Sequence, residues 1–189
     1  MTVFRQLLAG LRFLVVMTVL LGVLYPAVVT LFAQVATPAA ANGTLIVVDG
    51  RVAGSALLGQ QADGPEWFQP RPSASDYSGQ TSGGSNLSPV SSAQADAIAK
   101  READLRAANP DAVGPIPADA LTASGSGLDP DISVAYAQWQ VPRVAKTRGL
   151  DPSVLRELIA ASTDPAWLGF VGQDGVNVTR LNAALATRK

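Results

Sequence analysis

Four serines in glycine-rich runs, Ser82, Ser85, Ser124 and Ser126, are the side chains here most readily imagined as nucleophiles. Acyl transfer at serine needs a base within hydrogen-bond reach, and the chain has no histidine to supply one. Lys100 or Lys146 could serve in a serine–lysine arrangement, but neither stands at a spacing that nominates it, and neither run has the strand–turn–helix pattern of a nucleophile elbow. The carboxylates Asp129 and Asp131 flank Pro130, where turn stabilisation and capping account for them better than acid–base chemistry across a cleft. The runs at Ser82–Asn86 and Ser124–Gly127 lack the lysine-bearing pattern of a phosphate loop. With no cysteine either, disulfides, thiolate or imidazole haem ligation and the common zinc sites are excluded.

What remains is ion handling or an interaction surface. Asp129, Asp131, Asp151 and Asp174 could raise the local cation concentration, although solvation alone explains most such residues. Arg143 and Arg148 lie in and after Gln140-Val141-Pro142-Arg143-Val144-Ala145, where a guanidinium could grip a carboxylate in two-pronged fashion. An internal brace and a partner-facing contact are equally open for them.

The elements that must position these groups begin with a membrane segment. Phe13–Val35 carries no charged side chain, and at 1.5 Å per residue its length of about 34 Å exceeds the roughly 30 Å hydrocarbon layer. Arg5 and Arg12 precede it and the next charge is Asp49, so the segment is expected to place residues 1–12 in the cytoplasm, 13–35 in the bilayer and 36–189 outside. A removable signal peptide is the competing reading, supported by Ala39-Ala40-Ala41, but its apolar core is ordinarily shorter. Pro26 can bend the helix, Gly22 permits close approach by another helix, and Thr18, Thr30 and Gln34 could make polar contacts there.

Beyond a tether at Thr37–Asn42, the branched run Thr44–Val48, the turn pair Asp49-Gly50 and Arg51–Ala53 predict a hairpin, giving a small sheet near the start of the domain. Trp67–Ala74 reads as a fixed irregular loop, with Tyr77 reaching a polar partner, and Gly79–Ser92 as a loop. Ala93–Ala108 predicts a helix ended by Pro110, with Asp96, Lys100 and Asp104, and Glu102 and Arg106, spaced to pair along it. Ser133 is expected to cap a helical segment over Val134–Arg148, in which Pro142 either kinks the helix or marks where two shorter helices meet, and Gly149 offers its C-cap. Asp151-Pro152 starts another helix, and a last one runs over about Val178–Ala186. The fold class is α+β: a single N-terminal transmembrane helix, then one helix-rich extracytoplasmic domain with a small sheet. No basic patch suggests nucleic acid, since the formal net charge is -1.

Several strings occur together and in order: Arg71-Pro72-Ser73-Ala74, Ser82-Gly83-Gly84-Ser85-Asn86-Leu87, Thr122 to Pro130 (TASGSGLDP), Gln140 to Ala145, Arg148-Gly149-Leu150 and Val176-Asn177-Val178. Over nearly the whole chain the sequence closely resembles the C subunit of the bacterial potassium-transporting ATPase, the KdpC family. The resemblance implies an inner-membrane accessory subunit without chemistry of its own, supporting assembly and coupling of an ATP-driven potassium importer. Its implied partners are a channel-like subunit, a P-type ATPase subunit that uses ATP and magnesium, a very small membrane subunit, and lipid. It also implies a chaperone-like role that raises ATP affinity, with a nucleotide contact at Gln140, which the predicted topology opposes. A purely structural assembly role is the remaining alternative. Pro26, Arg71, Ser85, Asn86, Asp129, Gln140, Arg143 and Asn177 are the residues expected to matter for partners or structure. Two departures stand out: Asp131-Ile132-Ser133-Val134 replaces a usual His-Ile-Ser-Pro, and Gly172–Gly175 lacks a usual Pro-Arg pair.

Overall fold

The computed structural model describes residues 2–188, which form two units, one ending at Thr44 and one beginning at Leu45. The first is an apolar helix spanning Thr2–Ala36, long and apolar enough to cross a membrane. It comprises α1 (Thr2–Val19), a π turn (Leu20–Leu24) and α2 (Tyr25–Ala36). Pro26 cannot donate to the carbonyl of Gly22, and the π turn just before it absorbs that mismatch, with the Tyr25 N–H bonding Leu20 O. Proline therefore acts here through a widened turn.

The tether is more ordered than its composition suggests. Pro38–Ala41 forms one helical turn, α3, because proline suits the first helical position and alanine costs nothing to make helical. Asn42 Nδ2 donates to Pro38 O at 2.7 Å and to Gln34 Oε1 at 3.0 Å. Gln34 Nε2 returns a bond to Asn42 Oδ1 at 3.3 Å, so the Gln34 amide expected to face a neighbouring chain is engaged within this one.

The second unit opens with the predicted hairpin, β1 (Leu45–Val48) and β2 (Arg51–Ser55), joined by Asp49-Gly50 with both residues at positive φ. The long helix α4 (Ser92–Ala108) starts on Ser91, whose hydroxyl accepts from Gln94 N. Lys100 pairs with Asp104 at 2.6 Å as the spacing foretold. Glu102 and Arg106 form no ion pair among the described residues; Arg106 donates instead to Gly114 O at 3.1 Å. A short helix α5 (Ala118–Leu121) follows.

A second sheet holds three antiparallel strands in the order β3 (Asp131–Ser133), β5 (Gly175–Asn177), β4 (Thr163–Asp164). It stands in addition to the predicted hairpin sheet, and no pattern in the sequence announces it. Strands of two or three residues are too short to show alternation in sequence.

Around this sheet lie α6 (Val134–Arg148), α7 (Pro152–Ala161) and α8 (Val178–Ala186). Ser133 caps α6 by accepting from Tyr136 N, and Gly149 at φ 66 closes it in the left-handed region. The inward faces of these helices are apolar and buried: Ala137, Val141, Val144 and Ala145 on α6, and Val178, Leu181 and Leu185 on α8. Leu155, Leu158 and Ile159 of α7 join them, with Phe68 contributed from outside the helices. Apolar burial of roughly 1.5–3 kcal/mol per large side chain is what holds these helices on the sheet.

Candidate functional site

The segment Pro65–Gln69 crosses the domain without a strand partner, so its buried backbone groups must be met otherwise. All five consecutive carbonyls accept from side chains of α6 or α8. Arg143 Nη1 donates to Pro65 O and, at 2.9 Å, to Trp67 O. Arg148 Nε donates to Glu66 O at 3.2 Å, and its guanidinium lies 4.2 Å from the Trp67 ring centroid, a cation–π contact. Asn182 Nδ2 donates to Phe68 O at 2.9 Å while its Oδ1 accepts from Phe68 N at 2.9 Å. Gln140 treats the next residue alike, Nε2 to Gln69 O at 3.1 Å and Oε1 from Gln69 N at 2.7 Å. Two side-chain amides thus supply the reciprocal bonds that a neighbouring strand would make.

Gln140 is fully buried, at 0% exposure, and its Oε1 also accepts from Arg143 Nη2 at 2.7 Å. Arg143 Nε donates to Asn109 Oδ1 at 2.7 Å, and Asn109 Nδ2 in turn donates to Leu105 O at 2.9 Å. No carboxylate pairs with Arg143 among the described residues; neutral oxygens solvate its charge. Burial lowers its pKa, and the coulombic influences of Tyr136 and then Glu66 oppose that. Of the two readings open for Arg143, the internal brace is the one the geometry realises. Asn109 and Asn182 escaped notice in the sequence; the signal was an aromatic, proline-bearing loop whose backbone needed donors from somewhere.

The strings around Arg71, Ser82 and Thr122 meet in a second cluster. Arg71 Nη1 pairs with Asp129 Oδ2 at 3.0 Å, and Asp129 Oδ1 accepts from Asp131 N at 3.1 Å. Tyr77 donates to Arg71 O at 2.6 Å, the polar partner expected of it, and burial followed by Asp76 raises its pKa to about 12. Ser73 Oγ donates to Gly127 O at 2.8 Å and accepts from Ser75 N and Tyr77 N. Gly83 N bonds Ser126 O at 2.8 Å and Ser124 N bonds Pro72 O at 2.8 Å, lacing the three loops together. Gly127 sits at φ +69, and a Cβ there would come within 2.8 Å of Gly83 O. This crowding, rather than ligand binding, explains the glycine.

Ser124 and Ser126 are turn residues, sharing a hydroxyl contact of 3.2 Å. Ser85 and Asn86 lie exposed on the loop that carries Gly83, with Asn86 at φ 53. Lys100 and Lys146 are each bound to an aspartate, Asp104 and Asp111, so neither stands beside a serine as a base. Asn177 caps α8 through Arg180 N at 3.0 Å and donates to Ala56 O at 2.8 Å.

The four aspartates do not converge. Asp151 caps α7 through Ser153 N at 2.7 Å, Asp174 Oδ1 accepts from Ala166 N at 2.8 Å, and Asp129 serves Arg71. Asp131 Oδ1 is buried with no hydrogen-bond partner, and its pKa is raised by burial first and by Asp129 next. Among the described residues no three His, Cys, Asp or Glu side chains come together as a metal site. A cleft of about 320 Å³ opens beside α8, lined by Val48, Ala53, Gln60, Trp67, Thr179 and Asn182 among others.

An apolar helix long enough to span a membrane is followed by an α+β domain whose polar side chains brace its own loops, the architecture of a membrane-anchorable α+β protein. Comparison with known proteins makes this particular. The family model described as "K+-transporting ATPase, c chain" matches residues 7–187. The Potassium-transporting ATPase KdpC subunit of Sorangium cellulosum (strain So ce56) is 49% identical over 179 residues, covering 93% of this chain and 94% of its own. That of Serratia proteamaculans (strain 568) is 48% identical over 183 residues, covering 95% and 97%. The subunit of Burkholderia orbicola (strain MC0-3) is 48% identical over 174 residues, 90% of each chain. The chain belongs to the KdpC family, the c chain of the K+-transporting ATPase.

Proposed function

We propose that this chain is a single-pass accessory subunit of an ATP-driven potassium uptake complex in the bacterial inner membrane, with residues 1–12 in the cytoplasm and the domain outside. Arg5 and Arg12 before an uncharged apolar helix support that direction. In this reading a channel-like subunit carries potassium, and a P-type ATPase subunit binds ATP and magnesium on the cytoplasmic side. A small membrane subunit completes the complex.

The contribution of the domain is to bias its partners. A rigid body tethered by few residues has a high effective concentration at a neighbouring subunit, and preferential contact with one partner conformation couples transport to hydrolysis elsewhere. The observation that carries this reading is Gln140: every polar atom of its buried amide already holds Gln69 and Arg143. A nucleotide at this residue would have to displace those bonds, which favours reading Gln140 as a brace and assigning ATP to the partner ATPase subunit.

Removing the domain from Leu45 onward while keeping the anchor and an assembled complex tests the proposal. Potassium affinity and ATPase coupling should change per assembled complex. Unchanged affinity and turnover would leave only a structural role in assembly.

A further inference from the structure

Just before Pro26 the apolar helix has more main-chain acceptors than donors. The π turn joins the Tyr25 N–H to Leu20 O, and Leu24, the N-cap of α2, is the first acceptor of the α pattern that resumes there. Between these two lie the carbonyls of Leu21, Gly22 and Val23. Pro26 has no N–H, so Ala27 is the main-chain donor left for all three, and two of them have none among the described residues. A serine or threonine one turn further on could bond back to such an oxygen, but Leu24, Tyr25, Pro26 and Ala27 occupy those positions. The surface beside the oxygens is open as well. A Cβ built on Gly22 would meet only Thr18 Cγ2, at 3.9 Å, and none of the residues 20–36 is buried. Thr18, one turn before Gly22, and Thr30, one turn after Pro26, border this notch with further small side chains.

We propose that a transmembrane helix of a companion subunit docks in this notch and presents a Ser, Thr, Asn or Gln side chain that donates to the free carbonyls at the level of Gly22. The inference rests on the reading of the N-terminal helix as membrane-embedded. On that reading Gly22 lies about 14 Å past Phe13 along the helix, near the middle of a hydrocarbon layer roughly 30 Å thick. Lipid chains carry no donor, and an acceptor stranded at that depth is costly, so lipid does not complete the site. The donor has to be a side chain, because the main-chain N–H groups of a regular membrane helix are spent on its own carbonyls. It also has to come from a different chain. A second copy inserted in the same direction brings its own residues 20–25 to this depth, where the one polar side chain is a phenol at the end of a long tyrosine. The absent side chain of Gly22 and the short ones of Thr18 and Thr30 let the partner backbone come close enough for the bond.

In the full-length chain, co-expressed with its companion subunits, Thr18, Thr30 and Leu20 are replaced one at a time by the photoreactive p-benzoylphenylalanine. Leu20, two residues before Gly22, lies on the opposite side of the helix. Irradiation of the membranes should join positions 18 and 30 to one transmembrane helix of a companion subunit, and position 20 to it several-fold less. Peptide mapping then identifies the partner side chain level with Gly22. Replacing that Ser, Thr, Asn or Gln by Ala or Leu should lower copurification of the complex several-fold with the parent chain, and less with Pro26→Ala, whose restored N–H meets one of the oxygens. Adducts of positions 18 and 30 with lipid alone, or with a second copy of this chain, would overturn the proposal. So would a partner helix with no donor at that level, or equal losses with the parent and the Pro26→Ala chain. Alkaline carbonate extraction reads the anchor separately: a chain released from the membrane refutes embedding itself, whereas a retained chain with adducts to lipid alone refutes only the docking.

Discussion

Gln140 and Arg143, one turn apart on α6, are joined by a 2.7 Å bond from the guanidinium to the amide oxygen, and both reach across to Pro65–Gln69. The pair converts a segment without secondary structure into a fixed wall of the domain. An amide beside a buried cation also costs less than a second buried charge would, since neutral oxygens can solvate a guanidinium.

Replacing Gln140 by leucine strands the N–H and carbonyl of Gln69 and one Arg143 donor. A loss of about 2–4 kcal/mol is expected in denaturant titration of the full-length chain. Gln140→Glu keeps the acceptor for Gln69 N and Arg143 but buries a carboxylate and sets an oxygen against Gln69 O, so it should destabilise as well. A parent-like midpoint in the leucine variant would contradict the brace.

Gly127→Ala places a methyl group 2.3 Å from Ser75 Oγ and 2.8 Å from Gly83 O at a φ of +69. Destabilisation of about 2 kcal/mol or more is expected, because the backbone strain adds to a clash with another loop. Gly79→Ala, with open space around the site, should be nearly neutral in the same thermal melts.

Arg71 and Asp129 are each about a quarter to a third exposed, so their pair is partly screened. A double-mutant cycle with Arg71→Met and Asp129→Asn should give a coupling of about 1 kcal/mol that shrinks as salt is raised. Coupling indistinguishable from zero at low salt would show that the pair does not tie the loops.

Asp131 predicts a pH effect of defined sign. Burial and Asp129 raise its pKa in the folded protein, so the native state holds the proton more firmly than the unfolded chain does. Ionisation therefore costs stability. That cost is absent below the ordinary carboxyl pKa of about 3.9, grows as pH rises towards the folded value, and is complete above it. Asp131→Asn should melt slightly higher than the parent at neutral pH, with the gap closing in acid. A gap that widens in acid would reverse the assignment.

The helices were legible because their signals are local. Ser133 and Gly149 bracket α6, Asp151-Pro152 opens α7, and the stripe Val178, Leu181, Leu185 marks α8. The short strands were not, since Thr163-Asp164 and Gly175–Asn177 pair with each other and with β3 only through tertiary contact. The site was half legible. Arg71, Asp129, Gln140, Arg143 and Asn177 stood out in strings shared with a family, but which oxygens they meet depends on residues up to 121 positions away in sequence. Asn109 and Asn182, alone in helical contexts, carried no such mark.

The side of the membrane on which the domain lies decides the account most directly. Val113 is 91% exposed, and a Val113→Cys variant carries the chain's sole thiol. When cells with a permeabilised outer envelope and an intact inner membrane are treated with a membrane-impermeant maleimide, this position should react fully before lysis. Protection until the inner membrane is broken would put the domain in the cytoplasm and contradict the account.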